Sequence, residues 1–416
     1  LEPDISIPLL RPSPAKLSEA LSGLREIENR AIFSNFGPVS AEFEKNVTQQ
    51  MFHGIGDSLT VCNATTGLMI AIRQAIESRP ASRRRYALMP SFTFAAAAQA
   101  AKWNRLTPLF CDIDPLTWSA SRASEQQVLD KYHSQIAVIV PYATFGYDID
   151  LAWYEEIQRK YDIPVIIDAA ASLGTMSDDG RGFGTGFSGA VIYSMHVTKS
   201  FSTAEGGLIY SGDPTLIRTL RSMSNFGFGD SRSAARMGLN GKMSEVSALL
   251  ANLRLESFDA AMEQRSHLVE LYRKSLPELS FQPAKSKRQA HQFTSTLLPR
   301  ELAPERDTIQ SEMRRRGVES AHYFSPHVGE QEYFRRHADL ASLRVTNDVA
   351  ARILTLPLYD TMTDDEVGQV VTAVKEAVAL ASRSKLAIRA WPTPANKIMH
   401  RTKIAASGTA RAAARH

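Results

Sequence analysis

Lys199 lies five residues past the β-rich run Ala190–Ser194, and Asp168 ends the apolar run Val165–Ile167. A carboxylate at the end of a buried strand is costly unless it meets a cation. A lysine and an acid facing one pocket have two readings: a structural salt bridge, or the ring-and-carbonyl partners of a flat, charged cofactor. A third feature favours the second. Asn63-Ala64-Thr65-Thr66 sits between a strand and a helix, where small residues expose backbone N–H groups, hydroxyls add donors and the helix start favours an anion. Taken alone, Thr65 or Thr66 is equally well a plain N-cap. Ser194 adds a hydroxyl, and Phe94 offers a ring for stacking or for the core. Lysine, acid and phosphate cradle together are what pyridoxal phosphate requires.

The surrounding elements must bring these residues together. Seven short β-rich runs recur at Leu59–Cys62, Tyr86–Met89, Pro108–Cys111, Ile136–Val140, Val165–Ile167, Ala190–Ser194 and Gly207–Tyr210. Several are continuously apolar, as strands buried on both faces are. Helical stretches such as Thr66–Glu77 and Leu151–Tyr161 separate many of them. The alternation predicts an α/β fold with a mostly parallel sheet flanked by helices, and ligands at the C-terminal ends of its strands. Beyond residue 212 the rhythm gives way to helices, notably Ser244 to Leu276. A small α+β unit follows, with a capping box at Thr363–Glu366 and a helix face of Val367, Val370, Val371 and Val374. We therefore expect a large domain over 1–255, a small C-terminal domain over 256–381, and a basic, disordered tail over 382–416.

Composition narrows the classes. The 416 residues are 44% hydrophobic and 22% charged, which excludes a disordered chain, a collagen and a coiled coil. The net charge is +4, yet eight basic residues and no acid follow Glu376, so residues 1–376 carry −4. The charge belongs to the tail, and no specific nucleic-acid site is expected in the body. Cys62 and Cys111 make no disulfide framework, so a cytoplasmic setting is expected. Leu1–Ser13 lacks the pattern of a secretory signal, Phe92–Trp103 is short of a membrane span, and no metal ligands are assigned. Gly184–Gly189 matches G-x-G-x-x-G, but it precedes a strand instead of following one, so a Gly-rich turn is expected there.

Nine motifs occur in order: Ser34–Glu44 (SNFGP…FE), Asn63–Leu68 (NATTGL), Pro90–Ala100 (PSFTFAAAAQA), Pro108–Trp118 (PLFCDIDPLTW), Val140–Asp150 (VPYATFGYDID), Pro164–Gly174 (PVIIDAAASLG), Tyr193–Ile209 (YSMHVTKSFSTAEGGLI), Leu239–Ala251 (LNGKMSEVSALLA) and Leu356–Val367 (LPLYDTMTDDEV). Over residues 30–380 the chain resembles the pyridoxal-phosphate-dependent nucleotide-sugar aminotransferases of the DegT/DnrJ/StrS type. The resemblance implies the fold-type I transferase architecture and a homodimer with shared active sites. It implies amino transfer from an amino acid, L-glutamate, to a keto group of a nucleotide-linked deoxysugar. By position it makes Lys199 the Schiff-base lysine and Asp168 the partner of the pyridinium nitrogen. Phe94 becomes the aromatic over the ring, and Ala64, Thr65 and Ser194 the phosphate cradle. Asn240 becomes the asparagine that reaches the phosphate from the second subunit. His196, Tyr323 and His327 are candidate substrate contacts. Two positions depart from the family: Ala171 stands where a glutamine is common, and Ala143 where a histidine is frequent. Amination of a cyclitol ketone, sugar dehydration and a non-catalytic regulatory role remain alternatives, although Lys199 stands where dehydratase relatives carry histidine.

Overall fold

The structure is a computed structural model that describes residues 5–80, 84–284, 286–340 and 342–390. Seven strands form the core of the large unit: β1 (Asp57–Val61), β2 (Tyr86–Pro90), β3 (Thr107–Cys111), β4 (Ile136–Ile139), β5 (Ile166–Asp168), β6 (Ala190–Ser194) and β7 (Gly207–Ser211). Hydrogen bonds order them as β1-β7-β6-β5 and as β3-β2-β4. Single parallel bridges, Ile139 to Val165 and Tyr142 to Asp168, join the two groups into one sheet. Every pairing is parallel except those of β7, which runs antiparallel to both β1 and β6. Each expected strand is present within two residues of its expected bounds.

Alternation along the strands feeds two cores. Ile167, Val191, Tyr193 and Leu208 face one side, where the helices Pro38–Phe52 and Glu245–Ser275 bring Phe43, Val47 and Phe258. Ile166, Ile192, Ile209 and Val61 face the other, against Leu68, Ile72 and Ala98 of the helices Ala64–Ser78 and Ala95–Trp103. Both faces are dry, which is why the strands read as apolar runs.

The second unit is an antiparallel sheet of β8 (Ser280–Phe281), β9 (Thr294–Leu297) and β11 (Ile353–Leu356), backed by the helices Arg306–Arg315 and Asp364–Ala390. The capping box is made: Thr363 N–H donates to Glu366 Oε2 at 2.9 Å, and Glu366 N–H to Thr363 Oγ1 at 3.2 Å.

The chain divides less cleanly than its composition suggests. The boundary expected at 255 falls inside the helix Glu245–Ser275, which buries Phe258 and Met262 in one core and Leu268 and Tyr272 in the other. Ile7 pairs with Val318 and packs in the second core, so the N-terminal segment joins the C-terminal unit. The strand β10 (Asp339–Leu340) returns to pair in parallel with β3 at the edge of the large sheet. The helix from Asp364 continues past 381 to Ala390. The rest of the expected tail, 391–416, lies outside the described residues. Among the described residues no helix is long and apolar enough to cross a membrane.

Candidate active site

Strand order places the cradle. Gly207, the first residue of β7, pairs with Val61 on one side and Ser194 on the other. The turn after β1 and the end of β6 therefore meet across one glycine. A Cβ at Gly207 would stand 2.7 Å from the Ala64 nitrogen, so only glycine lets β7 approach this turn. Asn63 caps the following helix, its Oδ1 accepting from Thr66 N–H at 2.8 Å. The cap is thus Asn63 and not Thr65 or Thr66. The N–H groups of Ala64 and Thr65 lie in the first helical turn, where no backbone acceptor precedes them. They are free for an anion, which the helix dipole also favours. Ser194 is 8% exposed and accepts from His196 N–H through its Oγ at 3.3 Å.

Asp168 closes β5 one strand away, in register with Ile192. It is 2% exposed, and its Oδ1 accepts from Ala170 N–H at 3.1 Å. Burial pushes its carboxyl up to about 6, against the opposing pull of Ala170 N–H and the charge of Lys199. Lys199 follows β6 in a turn in which its N–H donates to His196 O at 2.8 Å. Burial lowers its ammonium to about 8, and the charge of Asp168 opposes that shift. Both groups are displaced by burial toward their neutral forms, at the ends of neighbouring strands. Phe94, at the start of the helix after β2, leaves 63% of its surface exposed. Such a large exposed apolar ring is able to stack on a flat group.

Other expected residues fall differently. Asn240 is exposed and accepts from Lys242 Nζ at 2.7 Å, beside its bridge partner Asn225. The next carbonyl, Gly241 O, accepts from Cys62 N–H at 2.7 Å, which anchors this segment behind the cradle. His196 is partly buried, with Nδ1 at 2.9 Å from Thr198 Oγ1. Tyr323 is 39% exposed and stacks on Phe293 at 5.0 Å. His327 is 2% exposed, and both ring nitrogens are engaged, Nδ1 with Ser91 Oγ and Nε2 with Asn347 Oδ1, each at 2.8 Å. It has no ring nitrogen left for a substrate and ties the loop after β2 to the C-terminal unit.

Sequence reading missed Gln292. Its Oε1 accepts from Lys199 Nζ at 3.1 Å, across 93 residues of chain. Nothing in QAHQFT marks it, because the contact exists only once the C-terminal unit docks beside β6. The Gly-rich turn 184–189 behaves as expected: Gly184 and Gly186 have φ of +94° and +81°, and a Cβ on Gly189 would strike Val165 O at 2.4 Å.

This arrangement matches known proteins along almost the whole chain. Residues 15–375 match the DegT/DnrJ/EryC1/StrS aminotransferase family. The chain belongs to that family. It is similar to Protein Rv3402c of Mycobacterium tuberculosis, at 32% identity over 89% of this chain and 90% of the relative. It is also similar to the dTDP-4-amino-4,6-dideoxy-D-glucose transaminase of Shigella dysenteriae, at 26% identity over 88% and 97%. Among solved structures, a putative PLP-dependent aminotransferase from Bacillus cereus superposes with a TM-score of 0.83 at 36% identity, covering 89% of this chain and 99% of that one.

The protein is an aminotransferase of the fold-type I architecture, with pyridoxal phosphate as cofactor. The residues present fit that group. A phosphate would meet the open N–H groups at Ala64 and Thr65, a pyridinium would meet the buried Asp168 carboxylate, and a carbonyl would meet the depressed amine at Lys199.

Proposed function

We propose that this aminotransferase moves an amino group from L-glutamate to a keto group of a nucleotide-linked deoxysugar, in the cytoplasm, as a homodimer with shared active sites. The observation that carries the reading is the placement of the Lys199 amine and the buried Asp168 carboxylate at one sheet edge beside the helix-start N–H groups of Ala64 and Thr65. The likeness to a dTDP-sugar transaminase over nearly the full chain supports the acceptor class. The exposed Asn240 and the free thiols Cys62 and Cys111 support the dimer and the compartment, respectively.

Pyridoxal phosphate supplies an electron sink for the carbanion formed at the donor carbon. Asp168 would hold the ring nitrogen positive, and a cation there would favour the carboxylate that burial disfavours. Lys199 Nζ, with its ammonium at about 8, takes a proton from the donor Cα and returns one near neutral pH. Ala64, Thr65 and Ser194 would hold the phosphate, Phe94 would cover the ring, and His196 and Tyr323 are the proposed substrate contacts.

Borohydride reduction of the purified holoenzyme followed by peptide mapping tests the assignment. The reduced cofactor is expected on Lys199 alone. Label on another lysine, or a protein that never takes up pyridoxal phosphate, overturns the reading.

A further inference from the structure

Lys199 and Gln292 meet from different parts of the chain, and one buried ion triad grips both from behind. Lys199 Nζ donates to Gln292 Oε1 at 3.1 Å. Next to the lysine, the carbonyl of Ser200 accepts from Arg254 Nη2 at 2.7 Å. Next to the glutamine, the carbonyl of His291 accepts from Arg265 Nη1 at 3.0 Å. Asp360 joins the two arginines, accepting from Arg254 Nη2 at 2.5 Å and Arg265 Nε at 2.6 Å. Gln292 is 4% exposed, and its N–H donates to Phe145 O at 3.1 Å. The contacts close a ring running from Lys199 through Ser200, Arg254, Asp360, Arg265 and His291 to Gln292 and back.

We propose that Gln292 is a positioning residue that aims the Lys199 amine, and that the Arg254–Asp360–Arg265 triad braces it. The inference rests on Lys199 being the reacting amine. A lysine stem is flexible, and an amine that must act on more than one atom needs its direction set without its charge being fixed. A carboxamide oxygen accepts from an ammonium and from a neutral amine alike and brings no net charge. A carboxylate at the same place would favour the ammonium and oppose proton transfer. The segment also lies beside Ala171, the position where the family commonly has a glutamine. A Cβ on Gly146 would touch both Ala171 O, at 2.8 Å, and His291 N, at 3.2 Å. Gln292 thus supplies a carboxamide next to the site of the missing one.

The test uses Gln292→Glu and Gln292→Met in the full chain. The pH dependence of Lys199 acylation in the apoprotein, read by mass spectrometry, and the affinity for pyridoxal phosphate are both measured. For Gln292→Glu the labelling midpoint is expected to rise by about one pH unit, a roughly tenfold loss of free amine below it. For Gln292→Met cofactor capture is expected to weaken about tenfold at an unchanged melting temperature, as for the loss of one aimed hydrogen bond. Wild-type labelling profiles and affinity in both variants overturn the proposal. If the Met variant does not fold, the Glu variant decides, since it keeps both size and acceptor. Failure of the functional reading shows separately, as a wild-type holoenzyme in which borohydride leaves Lys199 unmodified.

Discussion

Asp168 and Lys199 are each displaced toward their neutral forms by burial, so each charged form carries a stability cost in the fold. For Asp168 the sign can be worked out. Its pKa rises from 3.8 in the unfolded chain to about 6 in the fold. Below both values the carboxyl is neutral in either state. As the pH climbs between them the unfolded chain ionises first, so stability falls, by about 1.4 kcal/mol per pKa unit at most. Above about 6 the loss is complete. Asp168→Asn is therefore expected to abolish this step in thermal melts of the apoprotein and to melt above apo wild type at pH 7. The same variant is expected to bind pyridoxal phosphate more weakly. An apo variant that melts lower at pH 7 would show that the Lys199 charge outweighs desolvation at this site. Lys199, Asp168 and the cradle were legible in the sequence because strand ends and a strand-to-helix turn announce themselves locally. Gln292 was not, because only docking of the C-terminal unit brings it to the lysine. The ring partners of His327, Ser91 and Asn347, were hidden for a related reason: they come from distant segments.

At the scale of elements, the cradle is made by one residue's lack of a side chain. Gly207 sits in register between Val61 and Ser194 and lets the Ala64 turn close on it. Gly207→Ala is expected to keep the sheet and raise the dissociation constant for pyridoxal phosphate at least about tenfold, since one or more aimed phosphate bonds are lost. Equilibrium titration checks this, and unchanged affinity would mean that the cradle tolerates a Cβ. The strands themselves were readable from apolar runs because both faces of the sheet are covered. The antiparallel sense of β7 was not, because a buried strand carries the same pattern in either direction. The capping box at Thr363 gave the start of the last helix, whereas its end lacked so definite a signal and was expected too early.

At the scale of the molecule, the large sheet positions Asp168, Lys199 and the Ala64 turn, and Gln292 comes to Lys199 from further along the chain. The N-terminal segment bonds to the second unit through Ile7, which sequence order alone would not suggest. The proposed sharing of sites between subunits gives its own expectation. If Asn240 reaches the partner's cofactor phosphate, Asn240→Asp sets a carboxylate against that phosphate and lowers activity. Mixed dimers of Asn240→Asp with Lys199→Ala then contain one site with both defects and one with neither, so activity returns on mixing. No recovery after verified subunit exchange would place Asn240 at its own chain's site. The proposed reaction is amino transfer through Lys199 to a nucleotide-linked ketosugar. It is tested most directly by following nitrogen-15 from labelled L-glutamate into a panel of nucleotide-linked keto-deoxysugars by mass spectrometry. The expected result is a labelled aminosugar nucleotide formed in step with 2-oxoglutarate, and none with Lys199→Ala. A cofactor-loaded enzyme that places no label in any sugar of the panel, or a Lys199→Ala variant that still does, would contradict it.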